Sequence, residues 1–294
     1  MSKFVGRSVA GVMLVAASTM LAPVGSATER VYVPCFKAVY WSGGPGLNDE
    51  KYWYSQVHAF NNGSEVAIVK RTGIYVPIGY SPSFVPGEAH YAPGEGGRMP
   101  YAAGDVAFFN EFEVPASVAV SAEVEKTQFH FCGFADSGLN PVTAVLGQGR
   151  VPLPVYRGLF PSGTSVVTNT IALGNPRLDS RCASEAEKYL RRVNVTLFNA
   201  GEAPGTFSIK VLPLWNSSTP VYQASVTLAA KEVRQLNRLP IPVIDTPASY
   251  ETTGVLVWMV VTCDQPFLGY ASTIFDDPEP GAQPFEVFAF KKGS

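Results

Sequence analysis

Four short blocks of this chain occur twice, in the same order. Val33-Pro34-Cys35-Phe36-Lys37-Ala38-Val39-Tyr40 aligns with Leu153-Pro154-Val155-Tyr156-Arg157-Gly158-Leu159-Phe160. Val57-His58-Ala59-Phe60-Asn61-Asn62-Gly63 aligns with Val195-Thr196-Leu197-Phe198-Asn199-Ala200-Gly201. Ala102-Ala103-Gly104-Asp105-Val106 aligns with Ala229-Ala230-Lys231-Glu232-Val233, and Phe131-Cys132-Gly133-Phe134-Ala135 with Phe267-Leu268-Gly269-Tyr270-Ala271. Recurrence in order at nearly constant separation is the mark of a tandem duplication. Each half is of ordinary domain size and can close a core of its own. The expected domains are residues 28–150 and 151–294, abutting without a Gly/Ser or Pro-rich spacer and so with little freedom between them.

Within each half, apolar and polar residues alternate with period two. Residues 31–39, 56–60, 65–69, 118–124, 192–198, 206–212, 221–228 and 254–261 carry the pattern, rich in Val, Tyr, Phe, Thr and Ile, as half-buried strands require. The 24 prolines and 27 glycines are spread along the chain as turn punctuation. Helix is expected only over residues 183–192, with Ser180 as a cap. The reading is all-β, two sandwiches built from one repeated module.

The first 27 residues read as a cleaved signal peptide. Lys3 and Arg7 precede an uncharged apolar run at residues 8–22, followed by Pro23 and the small residues Gly25, Ser26 and Ala27. The run is shorter than the ~20 residues of a spanning helix, so no transmembrane span is expected, and localisation is secreted, periplasmic or cell-surface. Export makes disulfides permissible. Cys35, Cys132, Cys182 and Cys263 allow three connectivities. Bridging within each half favours Cys35 with Cys132 and Cys182 with Cys263, the alternative being buried free thiols.

The run Leu197-Phe198-Asn199-Ala200-Gly201-Glu202-Ala203-Pro204-Gly205-Thr206-Phe207, with the later Ser225-Val226-Thr227-Leu228-Ala229-Ala230-Lys231-Glu232-Val233, resembles bacterial exported immunoglobulin-like β-sandwich modules. Thr262-Cys263-Asp264-Gln265-Pro266-Phe267-Leu268-Gly269-Tyr270-Ala271-Ser272 is similar to a strand of uncharacterised secreted bacterial repeat proteins. The first half keeps Thr127-Gln128-Phe129 but lacks the Asp-Gln-Pro triplet. The resemblance implies fold and export, and no activity.

Chemistry is sparse. With 22 basic and 24 acidic residues, formal net charge −2, and no basic face beyond Lys188, Arg191 and Arg192, nucleic acid is not an expected partner. Only His58, His90 and His130 are available to a hydrolase, without a Gly-x-Ser-x-Gly elbow, and two of them sit in alternating strands; catalytic residues are therefore expected to be none. Glu88, His90, Glu95 and Asp105 match no metal-loop spacing, and Asp276 and Asp277 suit a turn better than a calcium ion. No cofactor and no metal is expected. Tyr75, Tyr80 and Tyr91 in the Tyr/Pro/Gly-rich stretch 75–101, with Trp41 and Trp53, are the expected binding residues. The expected function is a non-enzymatic structural or interaction protein, scaffold-like or adhesive, with a protein or glycan partner outside the cytoplasm. A carbohydrate-binding module using that aromatic loop is the alternative, and a hydrolase with an unrecognised site the second.

Overall fold

In the computed structural model the residues described are 27–44, 47–80, 87–103, 108–131, 143–173, 192–216, 218–237, 239–241, 255–274 and 285–293. They are all-β, arranged in four antiparallel sheets. The segment before Ala27 expected to be a signal peptide, the helix expected before Arg192, the turn expected at Asp276 and Asp277, and residues Asp105, Cys132 and Cys182 lie outside them.

The first sheet joins β1 (Thr28–Cys35), β7 (Phe108–Pro115), β4 (Ala67–Tyr75) and β5 (Gly87–Tyr91), in that order. The second joins β2 (Lys37–Gly44), β3 (Leu47–Asn61), β8 (Val118–Phe131) and β9 (Thr143–Pro152), and β6 (Gly96–Arg98) also pairs with β3. The third orders β14 (Tyr222–Leu228), β13 (Gly205–Pro213), β16 (Val255–Cys263), β10 (Ser165–Val167) and β19 (Lys291–Lys292), and β11 (Ile171–Leu173) also pairs with β16. The fourth orders β15 (Val233–Leu236), β12 (Arg192–Asn199), β17 (Phe267–Ile274) and β18 (Phe285–Ala289). Taken in chain order, β1-β7-β4-β5 corresponds to β10-β16-β13-β14, and β6-β3-β8-β9 to β15-β12-β17-β18.

Two matching turns fix the register of this correspondence. Asn61 and Asn199 are both fully buried at a strand end. Asn61 Oδ1 accepts from Gly63 N at 2.9 Å, and its Nδ2 donates to Glu65 O and Tyr91 O. Asn199 Oδ1 accepts from Gly201 N at 3.0 Å, and its Nδ2 faces Ala203 O, Leu228 O and Ala229 O. In the second turn, Glu95 accepts from Ala92 N at 2.7 Å and Glu232 from Ala229 N at 2.6 Å. Between them sit Gly94 (φ 74°) and Lys231 (φ 59°), both left-handed.

Of the four sequence blocks, the Asn61/Asn199 block therefore keeps its register, while the others shift. Ala92 rather than Ala102 corresponds to Ala229. Asn61 pairs with Val118 and Asn199 with Phe267, so the start of β17 matches the start of β8 and not Phe131 at its far end. Residues 153–160 do not stand where β1 stands: Tyr156 bridges to Tyr32, and Phe160 to Phe267. Apolar strands of period two resemble one another at any even offset; turn side chains do not, because their bonds need one geometry.

The expected boundary at 150/151 falls inside β9, whose Val151 pairs with Val124. The chain then crosses from one half to the other while hydrogen-bonded to both, through Leu153 and Tyr156 on one side and Phe160 on the other. Two apolar cores result. The one between the third and fourth sheets follows the alternation of β13, whose Phe207, Ile209 and Val211 point inward. The other reaches beyond its own strands to take in Phe198, Ala200, Val233, Leu268 and Tyr270 from the C-terminal half. Both faces of β12 are thus covered: Val193, Val195 and Leu197 on one side, Asn194, Thr196 and Phe198 on the other, all buried.

Candidate functional site

The aromatic residues of the expected binding loop differ in their exposure. Tyr91 is buried on β5, with its hydroxyl donating to Arg98 O at 2.9 Å. Tyr75 ends β4 with its ring 4.4 Å from that of Phe198, so it belongs to the contact between halves. Tyr80 is 37% exposed and meets Phe108 edge-on at 5.7 Å. Trp41 pairs with Glu50 in the β2–β3 ladder, and Trp53 with Ala38 and Lys126. Glycine and proline marked a surface loop in the sequence; within it Tyr75 and Tyr91 lie on β4 and β5 and pack toward the core, while Tyr80 is exposed.

The contact between halves is aromatic. Phe109 stacks on Phe198 at 5.4 Å and lies 6.3 Å from Tyr270, which meets Phe36 edge-on at 6.0 Å. The Tyr156 hydroxyl donates to Gly269 O. Beside these rings the buried Glu111 carboxylate accepts from the Tyr75 hydroxyl and pairs with Arg30 at 3.3 Å. Burial, and next the bond to Glu111, push the Tyr75 phenol well above its ordinary pKa. Such a cluster locks a geometry; it offers no open position to a substrate. Thr196 and Tyr270 are cross-strand partners whose hydroxyls are buried without a well-formed hydrogen bond. Tyr270→Phe is therefore expected to leave stability unchanged or raise it by up to ~1–3 kcal/mol. A urea midpoint for the Phe variant clearly below that of the wild type would contradict this.

Cys35 and Cys263 are buried free thiols, so neither expected bridge is present at these two positions. Burial raises both pKa values, that of Cys263 to about 11. Thiolate is the reactive form, so alkylation at either residue is expected to be slow in the folded protein below that range and to need unfolding. Iodoacetamide labelling with and without denaturant, read on the two peptides by mass spectrometry, checks this; prompt labelling of native Cys35 would refute it.

The histidines do not converge. His90 is exposed, 2.6 Å from Glu88, which also lies 3.9 Å from Lys70. His130 pairs with Ala144 on β8. Glu95 is used by its turn. No group of three or more His, Cys, Asp or Glu able to hold a metal ion occurs among the described residues, and no helix among them is long and apolar enough to cross a membrane.

His58 stands in a row of side chains shared by β3 and β6. Along β3, Ser55, Val57 and Ala59 are buried, while Tyr54, Gln56, His58 and Phe60 alternate on the other face. Arg98 on the neighbouring β6 pairs with His58, donates to Tyr54 Oη at 3.2 Å and Gln56 Oε1 at 3.4 Å, and lies 5.9 Å from the Tyr54 ring centroid. His58 Nε2 is 3.3 Å from Gln56 Oε1. Phe60 is 46% exposed. A Cβ on its partner Gly96 would meet the Phe60 ring at 2.8 Å, so glycine is what lets the ring lie against β6. Across β8 and β9, Arg150 pairs with Glu123 at 3.4 Å and Glu125 at 3.6 Å. This is a face with an exposed ring, a half-buried imidazole and an exposed guanidinium in adjacent rows, the buried Gln56 amide lying beside them.

No described protein family matches the chain, and no curated protein does. A solved structure of an anti-sigma factor domain-containing protein shares 12% identity over 87% of this chain and 96% of that one, with a TM-score of 0.12, a value too low to bear on fold or function.

Proposed function

We propose that this chain is an exported, non-enzymatic interaction protein, secreted or held in the periplasm or at the cell surface. Two tandem immunoglobulin-like sandwiches, descended from one duplicated module, act in it as a single stiff unit. The aromatic contact between halves carries the reading. Phe198 and Tyr270, at outward positions of the fourth sheet, are buried against Phe36, Tyr75 and Phe109 of the N-terminal half. A junction between mobile domains is ordinarily more polar. The matched strand orders and turns support the duplication. A stiff pair of sandwiches holds binding faces at a fixed spacing, the property a scaffold or adhesive module needs.

Cell fractionation with mass spectrometry of the N-terminus tests export; the expected product lies outside the cytoplasm and begins at Thr28, and a cytoplasmic chain retaining residues 1–27 overturns it. Small-angle scattering of residues 28–294 tests stiffness, and a profile that requires many relative orientations of the halves overturns that part. The carbohydrate-binding reading is kept as a second one because of the face of β3 and β6, which carries the exposed Phe60 and Arg98.

A further inference from the structure

We propose that the outward face of β3, β6 and β8 binds an acidic polysaccharide, with Phe60 stacking on a sugar ring and Arg98 holding a carboxylate. The inference rests on the carbohydrate-binding reading and is independent of the stiff-unit one.

The face has the shape and the chemistry for such an occupant. Its outward residues form successive rows across the sheet: Gly96, Phe60 and Ala119; Arg98, His58 and Ser121; Gln56 and Glu123; Tyr54 and Glu125. Six residues separate Tyr54 from Phe60, a run of about 20 Å along an extended strand, long enough for several rings of an extended glycan. Phe60 sits between glycine and alanine, so the ring has no bulky neighbour in its row and can accept the C–H face of a pyranose. Gln56 is buried and positions Arg98 and His58 through its Oε1, and the half-buried His58 can donate to or accept from sugar hydroxyls.

Charge decides between a neutral and an acidic glycan. Arg150 pairs with both Glu123 and Glu125 at one end of the face, which leaves that end with one carboxylate in excess. Arg98, at the other end, touches only the neutral Tyr54 and Gln56 among the described residues. The nearby Glu95 carboxylate is turned back onto Ala92 N. The end that carries the exposed ring therefore presents an unmatched guanidinium, which suits a carboxylate or sulfate on the sugar that Phe60 stacks upon.

The test uses residues 28–294 in affinity electrophoresis through gels containing polygalacturonate, dextran or no polysaccharide, with flotation on phosphatidylglycerol vesicles as a separate arm. Retardation by polygalacturonate and not by dextran is expected, weakening as salt is raised. Phe60→Ala and Arg98→Gln are each expected to weaken it about tenfold or more, while Phe60→Trp and the distant Trp215→Ala retain it. Both weakening substitutions lie at exposed positions, and unchanged far-ultraviolet circular dichroism verifies the fold. Equal retardation by dextran overturns the acidic preference while leaving the carbohydrate reading standing. No retardation by either polysaccharide overturns both, as does retardation indifferent to Phe60 and Arg98. Flotation with vesicles in the absence of polysaccharide binding assigns the face to a lipid surface and overturns the proposal.

Discussion

Phe198→Ala is expected to lower the stability of the folded chain by about 3–5 kcal/mol, the usual cost of removing a buried aromatic side chain and leaving a cavity behind. The site has little means of collapse. Phe198 is fully buried, with Tyr75 at 4.4 Å on one side and Phe109 at 5.4 Å on another; both partners are anchored on strands, and Tyr75 is further held by its bond to Glu111. Phe207→Ala is the control. That side chain is equally buried, against Phe267 in the core of the C-terminal half, and its loss should cost a similar amount. The two variants should differ in what they loosen. Phe198→Ala removes an aromatic from between the halves, so scattering under conditions where the chain is still folded should show a broader distribution of shapes; Phe207→Ala should leave the distribution as it is. Urea denaturation gives the first quantity and scattering the second. A loss under about 1 kcal/mol for Phe198→Ala, or identical scattering from the two variants, would mean that the ring only fills space.

The same residue shows where sequence reasoning stops. Val193-Asn194-Val195-Thr196-Leu197-Phe198 alternates cleanly, and alternation correctly identifies a strand. It also suggests that Asn194 and Thr196 face water, yet both are buried, because the N-terminal half covers that side of the sheet. Nothing local in β12 records that cover. Strand type and the Asn-Gly turns were legible because they depend on neighbours in sequence. The side of a sheet that meets the other half depends on residues such as Tyr75 and Phe109, far away along the chain. The inward packing of Tyr75 and Tyr91 was not legible for a related reason: Pro and Gly around them signal turns but do not say which way the side chains between turns point. Tyr54, Gln56, His58 and Phe60 were within reach. Their spacing beside the apolar Val57 and Ala59 marks them as the outward set of one strand. Arg98 was not, since its place beside His58 comes from the pairing of β6 with β3 across a long connection.

Asn199→Asp is expected to destabilise more than Asn199→Ala at neutral pH, although it alters a single side-chain group. Asn199 Nδ2 donates toward Ala203 O, Leu228 O and Ala229 O, at 2.9, 3.2 and 2.9 Å, while its Oδ1 accepts from Gly201 N at 3.0 Å. Alanine removes these bonds and leaves the Gly201 N–H and the Leu228 carbonyl buried without this partner, and the Ala203 and Ala229 carbonyls partly so, at about 2–4 kcal/mol in total. Aspartate keeps the acceptor for Gly201 but sets a second carboxylate oxygen against three carbonyl oxygens in a fully buried position. The charged form is opposed by burial and by the carbonyl dipoles, so the folded pKa rises above the unfolded value of about 3.9. For an acid with a raised folded pKa the unfolded state ionises first. The added penalty is therefore absent below pH ~3.9 and grows by ~1.4 kcal/mol per unit as pH rises, until the folded carboxyl also ionises. At low pH the protonated acid can still donate to one of the three carbonyls, so there the Asp variant should be at least as stable as the Ala variant. Urea midpoints for the wild type and both variants at pH 4 and pH 7 give the answer. A gap between the Asp variant and wild type that is the same at both pH values would show that the carboxylate finds water or a cation in the turn, and that the three carbonyls do not confine it.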